Sequence, residues 1–173
     1  MDKGIGSLFL DCSARGLEQL AERIGKCLER LSYEQVWARG TENENAVGNL
    51  LLHLTGNLGQ WIGSGLGGKP DVRQRGAEFA TRGDLQPGEL SARLAKAAED
   101  AAATIRAFPP ERLPEKVTIQ GYELTFLEAI YHVVEHFAQH TGQIIFATKQ
   151  FTGEDLGFYR HLSKPAPHSE KTP

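Results

Sequence analysis

The chain has 173 residues, 24% of them charged and 40% hydrophobic, which suits one domain with a real core and excludes both a disordered and a membrane-spanning chain. A net charge of −3 speaks against a dedicated nucleic-acid binder, because phosphate contacts need clustered Lys and Arg. Glycine is in excess, with 19 residues against about 12 at ordinary usage.

Met1-Asp2-Lys3-Gly4 carries no cationic stretch leading into a long apolar segment, so no secretory signal is expected. The first helix is predicted over residues 5–31 from Ile5, Leu8, Phe9, Cys12, Leu17, Leu20, Ile24, Cys27, Leu28 and Leu31, mostly three or four residues apart. Cys12 and Cys27 then lie about 22 Å apart along it. That is too far for a disulfide, and a reducing, cytoplasmic location is the expectation. A second helix is read from Val47, Leu50, Leu51, Leu54, Leu58, Trp61 and Ile62, with Thr41 or Asn43 as its cap. Residues 63–88, rich in Gly, Arg and Asp, read as a long connection. Pro87 opens a third helix through Leu90, Leu94, Ala98, Ala101, Ala102 and Ile105, which Pro109-Pro110 ends. Residues 117–123 read as a short extended turn. The fourth helix runs from near Thr125 to about Lys149. The tail from Ser163 onward, with Pro165, Pro167 and Pro173, reads as disordered. The domain is therefore taken as residues 1–162. Four long amphipathic helices with one long crossover, between the second and third, predict an all-α four-helix bundle.

The glycine cluster Gly63-Ser64-Gly65-Leu66-Gly67-Gly68-Lys69 matches both GxxxxGK and GxGxxG. Either motif needs a strand before it and a helix after it. Here a helix leads in, and Pro70 occupies the place of the required Ser/Thr. No nucleotide site is expected. The cluster reads as a helix end unwinding through glycines in left-handed conformations.

Three histidines, His132, His136 and His140, stand four residues apart on the fourth helix. At 100° per residue, Phe126, Leu127, Ile130, Val133, Phe137 and Ile144 form its buried arc. Glu128, Glu135 and Gln139 fall on the wet side. His136 and His140 lie on the border, and His132 is farthest from the core. Two imidazoles at i, i+4 can converge on one ion, but a catalytic metal needs a third protein ligand and an open position. His53 on the second helix, also at the border of its apolar stripe and one turn before Asn57, supplies that third candidate. Three neutral imidazoles suit Zn²⁺ or Ni²⁺. The run His132-Val133-Val134-Glu135-His136 also matches HxxEH, an inverted zinc-protease motif with Glu135 as base. That reading needs a further acidic ligand downstream, where few residues and only Glu154, Asp155 and Glu170 remain.

The segments His53-Leu54-Thr55-Gly56-Asn57-Leu58 and His136-Phe137-Ala138-Gln139-His140-Thr141-Gly142-Gln143-Ile144 resemble the DinB/YfiT-like superfamily of small bacterial metalloproteins, over nearly the whole chain. The resemblance implies an up-down-down-up bundle with zinc or nickel on His53, His136 and His140, and a homodimer. It also implies a thiol-S-transferase in which the metal activates a low-molecular-weight thiol against an electrophile. A non-catalytic metal-binding or stress-response module and a metal-dependent hydrolase are the alternatives. Asn57, Gln139 and Gln143 are candidates for orienting ligand imidazoles. His132 lies outside the ligand pattern, either as a supporting residue or as plain surface. Arg73, Arg75 and Arg82 could bind a substrate carboxylate but read mainly as a solvated charged loop. Trp37 and Trp61 read as core or interface. No nucleic-acid or membrane partner is expected.

Overall fold

The computed structural model describes residues 4–163 and is mainly helical; of the proposed tail from Ser163 onward, all but Ser163, the end of a short 3-10 helix, lies outside the described residues. Helix α1 spans Ile5–Leu28, α2 Tyr33–Trp37, α3 Val47–Leu58, α4 Arg75–Ala80, α5 Pro87–Ala107 and α6 Phe126–Thr152. A hairpin of β1, Lys116–Ile119, and β2, Tyr122–Thr125, precedes α6. Helix α1 packs on α5 and α6, and α3 packs on α5 and α6. One core, including Leu17, Ile24, Leu51, Leu54, Ile105 and Phe137, runs through all four.

The helix ends follow local chemistry. Thr125 caps α6 in a capping box with Glu128, and Gly153, in the left-handed conformation, closes it after Thr152. Pro87 stands in the first turn of α5, and Gln86 with Glu89 completes a second box. Helix α1 stops at Leu28 rather than Leu31, because Ser32 and Gln35 form a capping box that starts the short helix α2. Neither Thr41 nor Asn43 caps α3; its N-cap is Ala46, without a side-chain bond.

The largest departure from the sequence reading lies after Ile62. The helix carries on through Gly63 and Gly65 as part of a π-helix, Gly59–Leu66, and ends only at Gly67-Gly68. Among residues 63–68 only Gly68, at φ 69°, is left-handed. The wider π turn carries glycines where neighbours come close. At Gly65 a side chain would collide with Ile119 of the hairpin, whose own side chain is buried. The hairpin is thereby seated on the π-helix. Its strands pair antiparallel from Lys116↔Thr125 to Ile119↔Tyr122, and Gln120-Gly121, both at positive φ, make the two-residue turn.

The supposed long connection contains α4, which lies against α3. Leu127, placed on the buried arc of α6, is 43% exposed. It sits in the first turn, at the edge of that arc. No described helix is long and apolar enough to cross a membrane. Cys12 and Cys27 are both free, the former exposed and the latter buried.

Candidate metal centre

Helices α3 and α6 bring His53, His136 and His140 together, with one ligand atom from each within 4.8 Å of the others. His53 Nε2 lies 3.0 Å from His136 Nε2, and His140 Nε2 lies 3.1 Å from the same atom. The Nε2 atoms of His53 and His140 thus both face His136 Nε2. Zn–N bonds of 2.0–2.1 Å separate tetrahedral ligand nitrogens by about 3.3 Å, close to the two separations measured from His136 Nε2.

The opposite ring nitrogens fix this orientation. His53 Nδ1 donates to Glu78 Oε2 at 2.9 Å, which leaves Nε2 with its lone pair. His140 Nδ1 lies 2.6 Å from Gln143 Oε1 and donates to it, with the same consequence. Arg73 clamps Glu78 through Nε to Oε1 at 2.7 Å and Nη2 to Oε2 at 2.9 Å. Its Nη1 reaches Gln60 Oε1 at 3.0 Å. Arg73 Nη2 also lies 3.0 Å from His53 Nδ1. A carboxylate can only accept and already draws on the guanidinium, so the proton on His53 is assigned to Nδ1.

Electrostatics keep His53 and His136 neutral. Burial, followed by the neighbouring His140 and His53 rings, pushes His136 down to about 3. Burial also lowers His53, against the opposing pull of Glu78. For Glu78, burial alone would raise the carboxyl, but the bonds from Arg73 and His53 prevail and hold it below the usual range. The result is two close, neutral nitrogen donors in His53 and His136, the first backed by an ionised carboxylate, which suits a divalent ion.

His53 is buried, at 6% exposure, rather than at a border. The reason is α4, which lays Glu78 over it; Phe79 also packs tilted against the His53 ring, with centroids 4.8 Å apart. Glu78 and Arg73 were missed as supporting residues because nothing periodic marks a short helix inside an Arg- and Gly-rich stretch. The tendency of ligand histidines to bond a carboxylate narrows the search there to Asp71, Glu78 and Asp84. Glu78 reaches His53 because Gly56 leaves room. A Cβ on Gly56 would overlap Glu78 Oε1 and lie 3.0 Å from its Cδ.

The other candidates separate clearly. Gln143 supports His140, as above. Gln139 is exposed, with no bond to a histidine among the described residues. Asn57 is buried, but its Oδ1 has no hydrogen-bond partner among the described residues, nor do the buried Trp61 Nε1 and His136 Nδ1. His132 is neither a member of the triad nor free surface. Its ring packs on Trp61 at 4.4 Å and stacks on His136 at 5.7 Å between centroids. Glu135 is exposed, so HxxEH gains no support as an assembled site. Arg75 lies over the Phe79 ring, and Arg82 donates to carbonyls at the end of α4. A cleft of about 480 Å³ between the hairpin and the triad is lined by His53, His136, Trp61, His132, Arg75 and Tyr122, among others. It gives small molecules access to the histidines.

A family model described as a protein of unknown function, DUF1572, matches residues 4–166. The chain belongs to this family. No curated protein matches it. The match takes in both histidine-bearing helices, α4 and the hairpin, so the whole centre lies inside the family domain.

Proposed function

We propose that the chain is a DinB-type metalloprotein, its four long helices forming an up-down-down-up bundle and His53, His136 and His140 holding a divalent Zn or Ni ion through Nε2. The observation that carries the reading is the pair of bonds behind the ligands, Glu78 to His53 and Gln143 to His140, which turn both lone pairs toward His136. The group has three protein donors, the number found in catalytic rather than closed structural zinc sites. We assign it to metal-dependent thiol-S-transfer. When bound, the ion would lower the pKa of a thiol at its open position and make the nucleophilic thiolate available at neutral pH. Glu78 holds the His53 tautomer, Arg73 keeps Glu78 ionised, and Gln143 orients His140. Homodimers in the cytoplasm, with a small thiol and an electrophile as substrates, complete the proposal.

Elemental analysis of the purified protein tests the first half. His53→Ala, His136→Ala and His140→Ala should each lose bound metal, whereas His132→Ala should retain it. Unchanged metal content in all four would remove the site. A screen of thiols with a generic electrophile, with and without metal, tests the second half. A metal-loaded protein inert toward every thiol and unperturbed by their addition would leave a binding module.

A further inference from the structure

A second and larger cleft lies on the far side of the Arg73–Glu78 pair. Its volume is about 700 Å³, within the range of small-molecule sites. Its floor is the surface of α3 and the π-helix around Leu52, Gly56, Gly59 and Gly63; Ala97, Ala101 and Thr104 of α5 face that floor. The segment Lys69–Arg73 and α4 form the remaining wall. The glycines keep the floor open: a Cβ at Gly59 would meet nothing within 4 Å. Val72, at the rim, is 83% exposed, an apolar side chain with no apolar cover.

The charges around this cleft are unequal in their engagement. All three carboxylates are taken. Glu78 is held by Arg73 and His53, Asp71 accepts from Gln60 Nε2 and the Arg73 backbone N–H, and Asp100 pairs with Lys96. Of the cations, Arg73 is neutralised by Glu78. Lys69 and Arg93 also line the cleft, and neither has an ion pair among the described residues, although the field of Lys69 reaches Asp100. An apolar trough whose rim carries two cations without a close ion pair among the described residues favours an amphipathic anion over a neutral or cationic ligand, since burying the chain gains hydrophobic free energy while the head stays at the charged rim.

We propose that this cleft is a binding site for a small amphipathic carboxylate, its hydrocarbon part lying between the glycine floor and Ala97 and its carboxylate meeting Lys69 and Arg93. The site is separate from the histidine triad and does not depend on metal.

The test is calorimetric titration of the chelator-treated full chain, and of its His136→Ala variant, with octanoate, octanol and octylammonium below their aggregation limits. Saturable binding of octanoate to both proteins, at least about tenfold tighter than octanol or octylammonium, is the expected result; each tenfold corresponds to about 1.4 kcal/mol. The double variant Lys69→Glu/Arg93→Glu changes two exposed residues and should reverse the preference toward octylammonium. Ala97→Phe should close the trough to all three probes, with thermal unfolding confirming that it folds. Absence of octanoate binding, equal binding of octanol, or an unchanged preference in the charge-reversed variant would overturn the proposal. Binding that requires the metal would assign the carboxylate to the triad instead, and would also overturn it.

Discussion

Replacing Gly56 by Ala adds one methyl group at the point where α3 lets the Glu78 carboxylate in. In an exposed helix that change would stabilise by about 1 kcal/mol. Here the new Cβ would overlap Glu78 Oε1 and stand 3.0 Å from Cδ and 3.1 Å from Arg73 Nε. The carboxylate has no free direction of retreat, because it is held by Arg73 at 2.7 and 2.9 Å and by His53 at 2.9 Å. Withdrawal of roughly an ångström breaks at least two bonds to charged partners, each contributing about 1.5–3 kcal/mol. The net expectation is destabilisation of about 2–5 kcal/mol after the helix gain is subtracted. With the carboxylate displaced, His53 loses its orientation, and metal affinity should fall about 10- to 100-fold. Urea unfolding of the metal-free protein measures the first effect, and competition against a chromophoric chelator measures the second. Gly59→Ala is the control, since its Cβ meets nothing; it should be neutral or slightly stabilising and leave affinity unchanged. If Gly56→Ala behaves like Gly59→Ala, Glu78 is not wedged against α3 and the support of His53 has been misassigned.

Further outcomes follow from the same network. Gln143→Ala removes the acceptor behind His140 and should weaken metal binding about tenfold without changing the unfolding midpoint of the metal-free protein, as read by the same competition and urea assays. The metal-free protein should lose stability as pH falls from about 6.5 toward 3: below 6.5 the unfolded chain takes up a proton that folded His136, held down to about 3, refuses. The depressed Glu78 acts in the same direction at the acid end, so urea midpoints that do not move across this interval would contradict both shifts. Thr125→Ala, which removes the side-chain cap of α6, should cost about 1 kcal/mol in unfolding experiments and leave metal content intact. Charge reversal at Glu18, half of the exposed Arg106 pair, should move stability by no more than about 1 kcal/mol, since exposed pairs are screened.

Much of the fold was legible because the relevant signals are local. Apolar residues at three- and four-residue spacing placed the four long helices, and Pro87, Thr125 and Pro109-Pro110 placed their ends to within a few residues. The same periodicity put His136 and His140 one turn apart on one face. What misled was also local. The glycine cluster from Gly63 to Gly68 suggested unwinding, yet the main-chain bonds carry on to Leu66 as a π-helix, because the hairpin and α5 pack there and the missing side chains make room. Leu127 followed the period of the buried arc but stands at the helix start, where no neighbour covers it.

The sequence by itself determined the helical periods, the helix starts at Pro87 and Thr125 and the spacing of two histidines, since each depends on residues within a turn or two of one another. Tertiary structure decided that His53 joins them across a separation of 83 residues. It also decided that Arg73 and Glu78, from a stretch that reads as solvated loop, come together at α4 to support that histidine. No periodic pattern encodes such a contact. It exists because a buried imidazole and a buried carboxylate are each costly alone and become tolerable only when packing places them together.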